Sequence, residues 1–406
     1  MQGSPHWRSG DRAQRRSQKQ PSSFPADQGA EWAGEAPSAG RQARILRERQ
    51  AYLRQVQRRR QRRRYGLILA LCLLCLCCAA YLLREPIQRR LFRTFPSPQD
   101  IATPGLQELV PKTPDQTQDL SQRAPDFSTE QRQVLDQIAA RSVAIYDLGE
   151  QRLLYLRGEQ EAIIPASCEK LFCIAYALSY LSPDEVYSYE AAVDELIKPE
   201  SSLAWLQVGE RYSVRNLIEG MLVPSGNDAA YALAVIGGRR LAGAELPVTE
   251  AIQRFLQGLS DYLQSSGYRD THISDPSGYS YEDGSSARDL LAVTQHLLQY
   301  DWIREAVASP LYKAQLPAAY SVEWKNSNRF LHPEDPFYNP HVQGIKTGSL
   351  ENSYNLVSLY QNTRQRSFIV LGLAYHSTEE RDQGMKTIFD LLETYGQDGG
   401  NLAAEP

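Results

Sequence analysis

The chain has 406 residues and a formal net charge of −4 that is unevenly spread. Residues 1–64 carry sixteen Lys and Arg against five Asp and Glu, a charge of +11, which leaves −15 on the remainder. The length allows two or three domains, and the asymmetry implies a basic arm joined to an acidic globular part. Of the six cysteines, Cys72, Cys75, Cys77 and Cys78 share one apolar run. Cys168 and Cys173 lie on one helical stretch and face different directions, so no disulfide framework is expected. No metal-ligand spacing is present, and neither a metal nor a cofactor is expected.

Residues 1–40 are rich in Ser, Gln, Gly, Pro and Ala without apolar periodicity, the composition of disorder. Residues 41–64 can form a helix with a thin apolar stripe (Ile45, Leu46, Leu53, Val56) and end with six arginines among the last seven positions. Residues 65–83 then run for nineteen positions without a charge, roughly 28 Å as a helix and close to the thickness of a bilayer's hydrocarbon core. The arginines before the run place the N-terminus in the cytoplasm and the rest of the chain outside. A cleaved signal peptide fits less well, because the charged region is long and no small-x-small cleavage site follows. The basic arm would lie against anionic lipid, which argues against nucleic acid as its partner.

Residues 84–125 hold seven prolines among polar residues and read as an extended stalk. The stretch from Ser128 to Gln131 has the form of a capping box and predicts a helix through about Ala140. Residues 142–158 predict two strands around a turn at Leu148, Gly149 and Glu150. Residues 163–181 predict a helix opened by Pro165 and apolar nearly all round, so it should be buried. A helix begins at Ser213 and stops before Pro224, and another follows Asn227 and is expected to close at Gly237 and Gly238. Residues 285–300 show helical spacing, and 342–348, 354–361 and 367–375 read as strands. A final helix carries Met385, Ile388, Phe389, Leu392 and Tyr395 on one face. Helices thus fill the middle of one domain, 126–397, while its strands come from both ends, an α+β arrangement; residues 398–406 form a tail.

Three small motifs carry chemistry. Ser167 and Lys170 stand three apart at the mouth of the buried helix, where their side chains point the same way. A partly desolvated lysine favours its neutral amine, which can take a proton from a serine hydroxyl. Ser225-Gly226-Asn227 lies on a loop between two helices, and Lys346-Thr347-Gly348 ends a predicted strand. Taken singly, Ser225 can be a helix cap, Asn227 a turn residue and Lys346 a surface lysine. A second Ser-x-Asn, at Ser353 and Asn355, is set aside because it starts the strand after Lys346-Thr347-Gly348.

The joint order Ser-x-x-Lys, Ser-x-Asn, Lys-Thr-Gly is the signature of the serine penicillin-recognising enzymes. The surroundings, IIPASCEKLFCIAYAL, SVRNLIEGMLVPSGNDAAYALA, DPSGYSYEDGSSARDLL and GIKTGSLENSYNLV, resemble the low-molecular-weight D-alanyl-D-alanine carboxypeptidases, serine peptidase family S11. The likeness runs from about Val143 to Gly396. Cys168 and Glu169 depart from the small or hydroxyl residues usual between nucleophile and lysine. The resemblance implies a β-lactamase/transpeptidase-like fold: an antiparallel sheet flanked by helices plus an all-helical subdomain, here behind an N-terminal transmembrane helix. It implies Ser167 as nucleophile, Lys170 as its base, and Ser225 between Lys170 and Lys346 as a proton relay. Asn227 would hold the substrate amide, and Lys346 and Thr347 its terminal carboxylate, with Gly348 letting the substrate backbone lie close to the strand. The backbone N–H groups of Ser167 and Ser349 would form the oxyanion hole. Peptidoglycan stem peptides and β-lactam antibiotics are the implied ligands, met outside the cell. A β-lactamase and a weakly catalytic penicillin-binding sensor or scaffold are the alternatives. Between Asn227 and Lys346 no glutamate begins the Glu-x-x-Leu-Asn pattern that class A β-lactamases use to deacylate.

Overall fold

The computed structural model of the chain describes residues 127–159 and 161–395. The expected arm (1–64), membrane-spanning run (65–83), stalk (84–125) and tail (398–406) lie outside the described residues. Among those described, no helix is long and apolar enough to cross a membrane.

Ser128 opens helix α1 (Thr129–Asp136) with both bonds of the capping box, its hydroxyl accepting from Gln131 N and its own N–H donating to the Gln131 side chain. The helix ends at Asp136, short of the expected Ala140. Strands β1 (Ser142–Asp147) and β2 (Arg152–Arg157) form the expected hairpin. They join strands from the other end of the chain, β7 (Val342–Leu350), β8 (Ser353–Gln361) and β9 (Ser367–Tyr375), in one antiparallel sheet of order β2-β1-β9-β8-β7.

Strand alternation assigns the two faces of that sheet. Val143 and Ile145 of β1, Phe368 and Val370 of β9 and Leu356 of β8 share a core with α1 and the last helix, α9 (Thr378–Thr394). Phe389 of α9 stacks on Tyr360 at 5.0 Å and meets Phe330 edge-on at 5.2 Å, and burying one such side chain is worth roughly 1.5–3 kcal/mol. The intervening residues Ala144, Ile369 and Leu371 are equally buried and face the other way. There α7 (Ala287–Leu297), capped by Ser286, packs on β1 and β9.

The helical layer beyond begins with a 3₁₀ turn, Ala166–Glu169, that runs directly into α2 (Lys170–Leu178). The small pair β3 (Val186–Ser188) and β4 (Arg211–Ser213), with the one-turn α3 (Ala191–Asp194) between them, leads to α4 (Val214–Leu222). Helices α5 (Asn227–Ala242) and α6 (Val248–Ser265) follow; after α7 come α8 (Asp301–Ala308) and a hairpin of β5 (Leu311–Gln315) and β6 (Ser321–Lys325).

Gly237 and Gly238 do not close α5 as expected. The helix continues to Ala242 and is capped by Gly243 at φ 63°. Gly238 serves close packing: a Cβ there would stand 1.8 Å from the Ala251 carbonyl oxygen of α6. Helix breaker and helix-crossing glycine look alike in sequence, and only the partner helix tells them apart.

Candidate active site

The predicted helix over 163–181 is in fact a 3₁₀ turn followed by an α-helix, and the difference matters chemically. A 3₁₀ helix has three residues per turn, so positions i and i+3 eclipse one another. Ser167 Oγ therefore lies 2.7 Å from Lys170 Nζ. Ala166, the first residue of the turn bearing Ser167, sits at φ 48°, a left-handed backbone that costs a non-glycine residue roughly 1–3 kcal/mol. The segment leading in is held against this strain. Asn355 Nδ2 donates to the carbonyls of Ile164 and Pro165, both at 3.1 Å, and Ser353 Oγ donates to Ile164 at 2.7 Å.

The other two motifs converge on this turn. Ser225, at φ 63°, precedes α5, and its Oγ accepts from Lys346 Nζ at 2.7 Å. Lys346 also donates to the carbonyl of Thr347 at 2.7 Å. Asn227, the first residue of α5, presents Oδ1 to Lys170 Nζ at 2.9 Å. Lys170 thus directs its nitrogen at Ser167, Asn227 and the carbonyl of Ser277, so its partner is Asn227 where Ser225 was expected. Thr347 Oγ1 is 2.8 Å from Ser327 Oγ. Ser349 lies further along β7, the outermost strand of the sheet. Gly348 has a reason beyond substrate access: a Cβ there would stand 2.5 Å from the Pro165 carbonyl and 3.0 Å from Cys168 Sγ. A side chain at 348 would lift β7 off the nucleophile turn.

Electrostatics follow from burial. Lys170 and Lys346 are 0% and 1% exposed, and their partners are hydroxyls, carbonyls and an amide oxygen. Burial, the largest influence, pushes the Lys170 ammonium down to about 8. Burial, then repulsion from Lys170, pushes Lys346 well below the ordinary lysine range. Lys170 is therefore poised to exchange a proton with the hydroxyl 2.7 Å away. Cys168 and Cys173 are buried free thiols, and among the described residues no cluster could hold a metal.

A family model described as D-alanyl-D-alanine carboxypeptidase, peptidase S11, matches residues 127–373. The chain belongs to this family. It is 24% identical over 265 residues to the Bacillus subtilis D-alanyl-D-alanine carboxypeptidase DacF, covering 63% of this chain and 64% of that protein. It is 28% identical over 238 residues to DacB2 of Mycobacterium tuberculosis, 57% of this chain and 69% of that one. The match to DacF thus spans less than two thirds of that relative's length. Among solved structures, a Streptomyces DD-transpeptidase superposes with TM-score 0.54 at 25% identity, over 62% of this chain and 96% of that one.

The sequence reading of this S11 family member missed three contributors. The Ser277 carbonyl accepts from both Lys170 and Ser167, the latter at 3.3 Å. A carbonyl leaves no residue-type signal, although the Asp-Pro-Ser-Gly run around it was visible. Asp275 fixes it by accepting from Ser277 N at 2.9 Å, while Tyr231 OH donates to Asp275 at 2.6 Å. Asn355, set aside above, holds the backbone entering the nucleophile turn and accepts from Ala374 N at 2.8 Å. Ser327, beside Thr347, belongs to no motif.

The lowered lysine has a signed consequence for stability. Below about pH 8 Lys170 is charged in both states, and the folded chain bears its full burial cost. Between about 8 and the ordinary 10.5 the unfolded chain binds the extra proton, so this site adds stability as pH rises. Urea denaturation of wild type and Lys170→Met from pH 7 to 10.5 should give a difference that moves in favour of wild type by roughly 3 kcal/mol. Parallel curves would show that Lys170 titrates normally in the folded chain.

Proposed function

We propose that the chain is a membrane-anchored serine D-Ala-D-Ala carboxypeptidase that trims peptidoglycan stem peptides and is acylated by penicillins. The observation that carries this reading is the convergence of Ser167, Lys170, Ser225, Asn227 and Lys346 through bonds of 2.7–2.9 Å from three separate segments. Neutral Lys170 takes the Ser167 proton as Oγ attacks the carbonyl of the terminal D-Ala-D-Ala bond. Backbone N–H groups of Ser167 and Ser349 receive the developing oxyanion, and losing one such donor typically costs on the order of a hundredfold or more in rate. Ser225, held by Lys346, passes its proton to the departing D-alanine nitrogen and regains the one Lys170 took from Ser167, and the C–N bond breaks to leave an ester on Ser167. Water then hydrolyses the ester and frees the serine.

The terminal carboxylate is bound by Lys346 and Thr347. Its arrival brings an opposite charge next to Lys346 and restores the ammonium that burial and Lys170 had disfavoured. Asn227 serves two purposes on this reading, orienting Lys170 and meeting the substrate amide. A penicilloyl ester should persist, because its leaving group stays tethered in the site. Glu169 and Asp283, two acids close to the site, are buried.

The expected outcome for the full chain in detergent is repeated release of D-alanine from a stem pentapeptide, with a stoichiometric penicillin adduct that outlasts many peptide turnovers. Both should vanish in folded Ser167→Ala. Labelling that survives this substitution would refute the nucleophile. Rapid return of the intact mass after a penicillin pulse would favour the β-lactamase reading, and a stable adduct without D-alanine release the sensor reading.

The anchor is part of the same proposal, supported by the uncharged run at 65–83 and the arginines before it. Protease added to intact spheroplasts should remove the domain after residue 84 and spare a tag at Met1. Digestion of the tag from outside would reverse the orientation.

A further inference from the structure

Glu169 stands between nucleophile and base in sequence, is 0% exposed, and has no part in the reaction above. Neither of its oxygens meets an N–H or O–H donor, and neither does Asp283 Oδ2. After burial, the charge that most opposes an ionised Glu169 is that of Asp283, the other acid whose buried oxygen lacks a donor. Ionised carboxylates only accept, so an acid-to-acid bond requires that one partner keep its proton. Asp283 Oδ1 already accepts from Ser274 N at 2.7 Å and from Ser274 Oγ at 2.5 Å, so Asp283 is the acid already engaged as an acceptor. The proton therefore resides on Glu169. Burial, followed by the charges of Asp283 and Asp275, pushes the Glu169 carboxyl well above its usual range.

We propose that Glu169 and Asp283 form a proton-sharing acid pair that clamps the 274–285 loop onto the nucleophile turn, positions the Ser277 carbonyl and keeps an ionised Glu169 from locking Lys170 in its charged form. The loop is held at its far end by a backbone exchange between Ile163 and Ser285, 2.9 Å in both directions. That contact lies just before the nucleophile turn, and the acid pair lies just after Ser167. Between the two clamps hangs the carbonyl on which both Ser167 and Lys170 converge.

The groups facing Glu169 are Lys170 and Cys173 of α2, Asp275 and Asp283 of the loop, and Tyr231 of α5. Burial pushes Cys173 and Tyr231 upward, so both are neutral. An ionised Glu169 would raise Lys170 and hold the base in its useless form. Glu169 is thus a positioning residue acting through Ser277 and Lys170. The kinetic arm of its test rests on the acyl-enzyme reading, whereas the spectroscopic arm does not.

Infrared spectra of the full chain carrying ¹³C-carboxyl glutamate should show at pH 7 a protonated carboxyl C=O band that is missing from Glu169→Gln. The same proteins are then acylated by fluorescent penicillin across pH. The glutamine amide donates to Asp283 permanently, so Glu169→Gln should keep most of the neutral-pH rate. It should also escape the alkaline loss that deprotonation of the pair imposes on wild type. Folded Glu169→Ala should acylate roughly tenfold or more slowly, as expected when a reacting group is misplaced. An unchanged infrared spectrum, an alanine variant as fast as wild type, or a glutamine variant with the wild-type alkaline limb would each overturn the proposal. If wild type does not acylate at all, the acyl-enzyme reading falls and the infrared band alone decides the pair.

Discussion

The architecture around the site depends on keeping two lysine amines out of water within reach of two serine hydroxyls. Burial disfavours the ammonium form of both, and at Lys346 the nearby Lys170 amine disfavours it further. This is costly, and the fold supports it with rigidity from several directions. The last strands of the sheet carry Lys346 and hold the backbone before Ser167 through Ser353 and Asn355. The helical layer supplies Ser225 and Asn227 at the start of α5. The 274–285 loop contributes the Ser277 carbonyl that accepts from Lys170.

The two left-handed residues fit the same picture. Ala166 and Ser225 each precede a helix and each sit where a side chain must turn sharply into the shared space. Their strain is tolerable because the neighbouring backbone is pinned on both sides. Gly348 belongs to this set for a different reason, since any larger residue would push the strand bearing Lys346 away from the turn bearing Ser167.

Much of this was legible in the sequence. The five strands of the central sheet, the capping box at Ser128, the helix start at Ser213, the apolar face of the last helix and the three motifs all follow from local pattern. What was not legible depends on tertiary context. Gly238 reads as a helix stop until Ala251 is seen against it. The 3₁₀ form of the Ser167 turn cannot be told from an α-helix by apolar spacing, yet it aligns serine and lysine. Asn355 was discounted because its strand position was correctly read, and that position is what brings it to the Pro165 carbonyl. Glu169 stood out in the sequence only as a departure from the small or hydroxyl residues expected there, and Asp283 lies more than a hundred positions away.

The central claim, that burial turns Lys170 into a neutral base for Ser167, is tested most directly by the pH dependence of acylation. Stopped-flow measurement of penicillin acylation on the full chain should show a rate that rises with loss of one proton, with a midpoint near 8. A rate that keeps climbing toward the ordinary lysine range near 10.5, or that ignores pH throughout, would contradict the account.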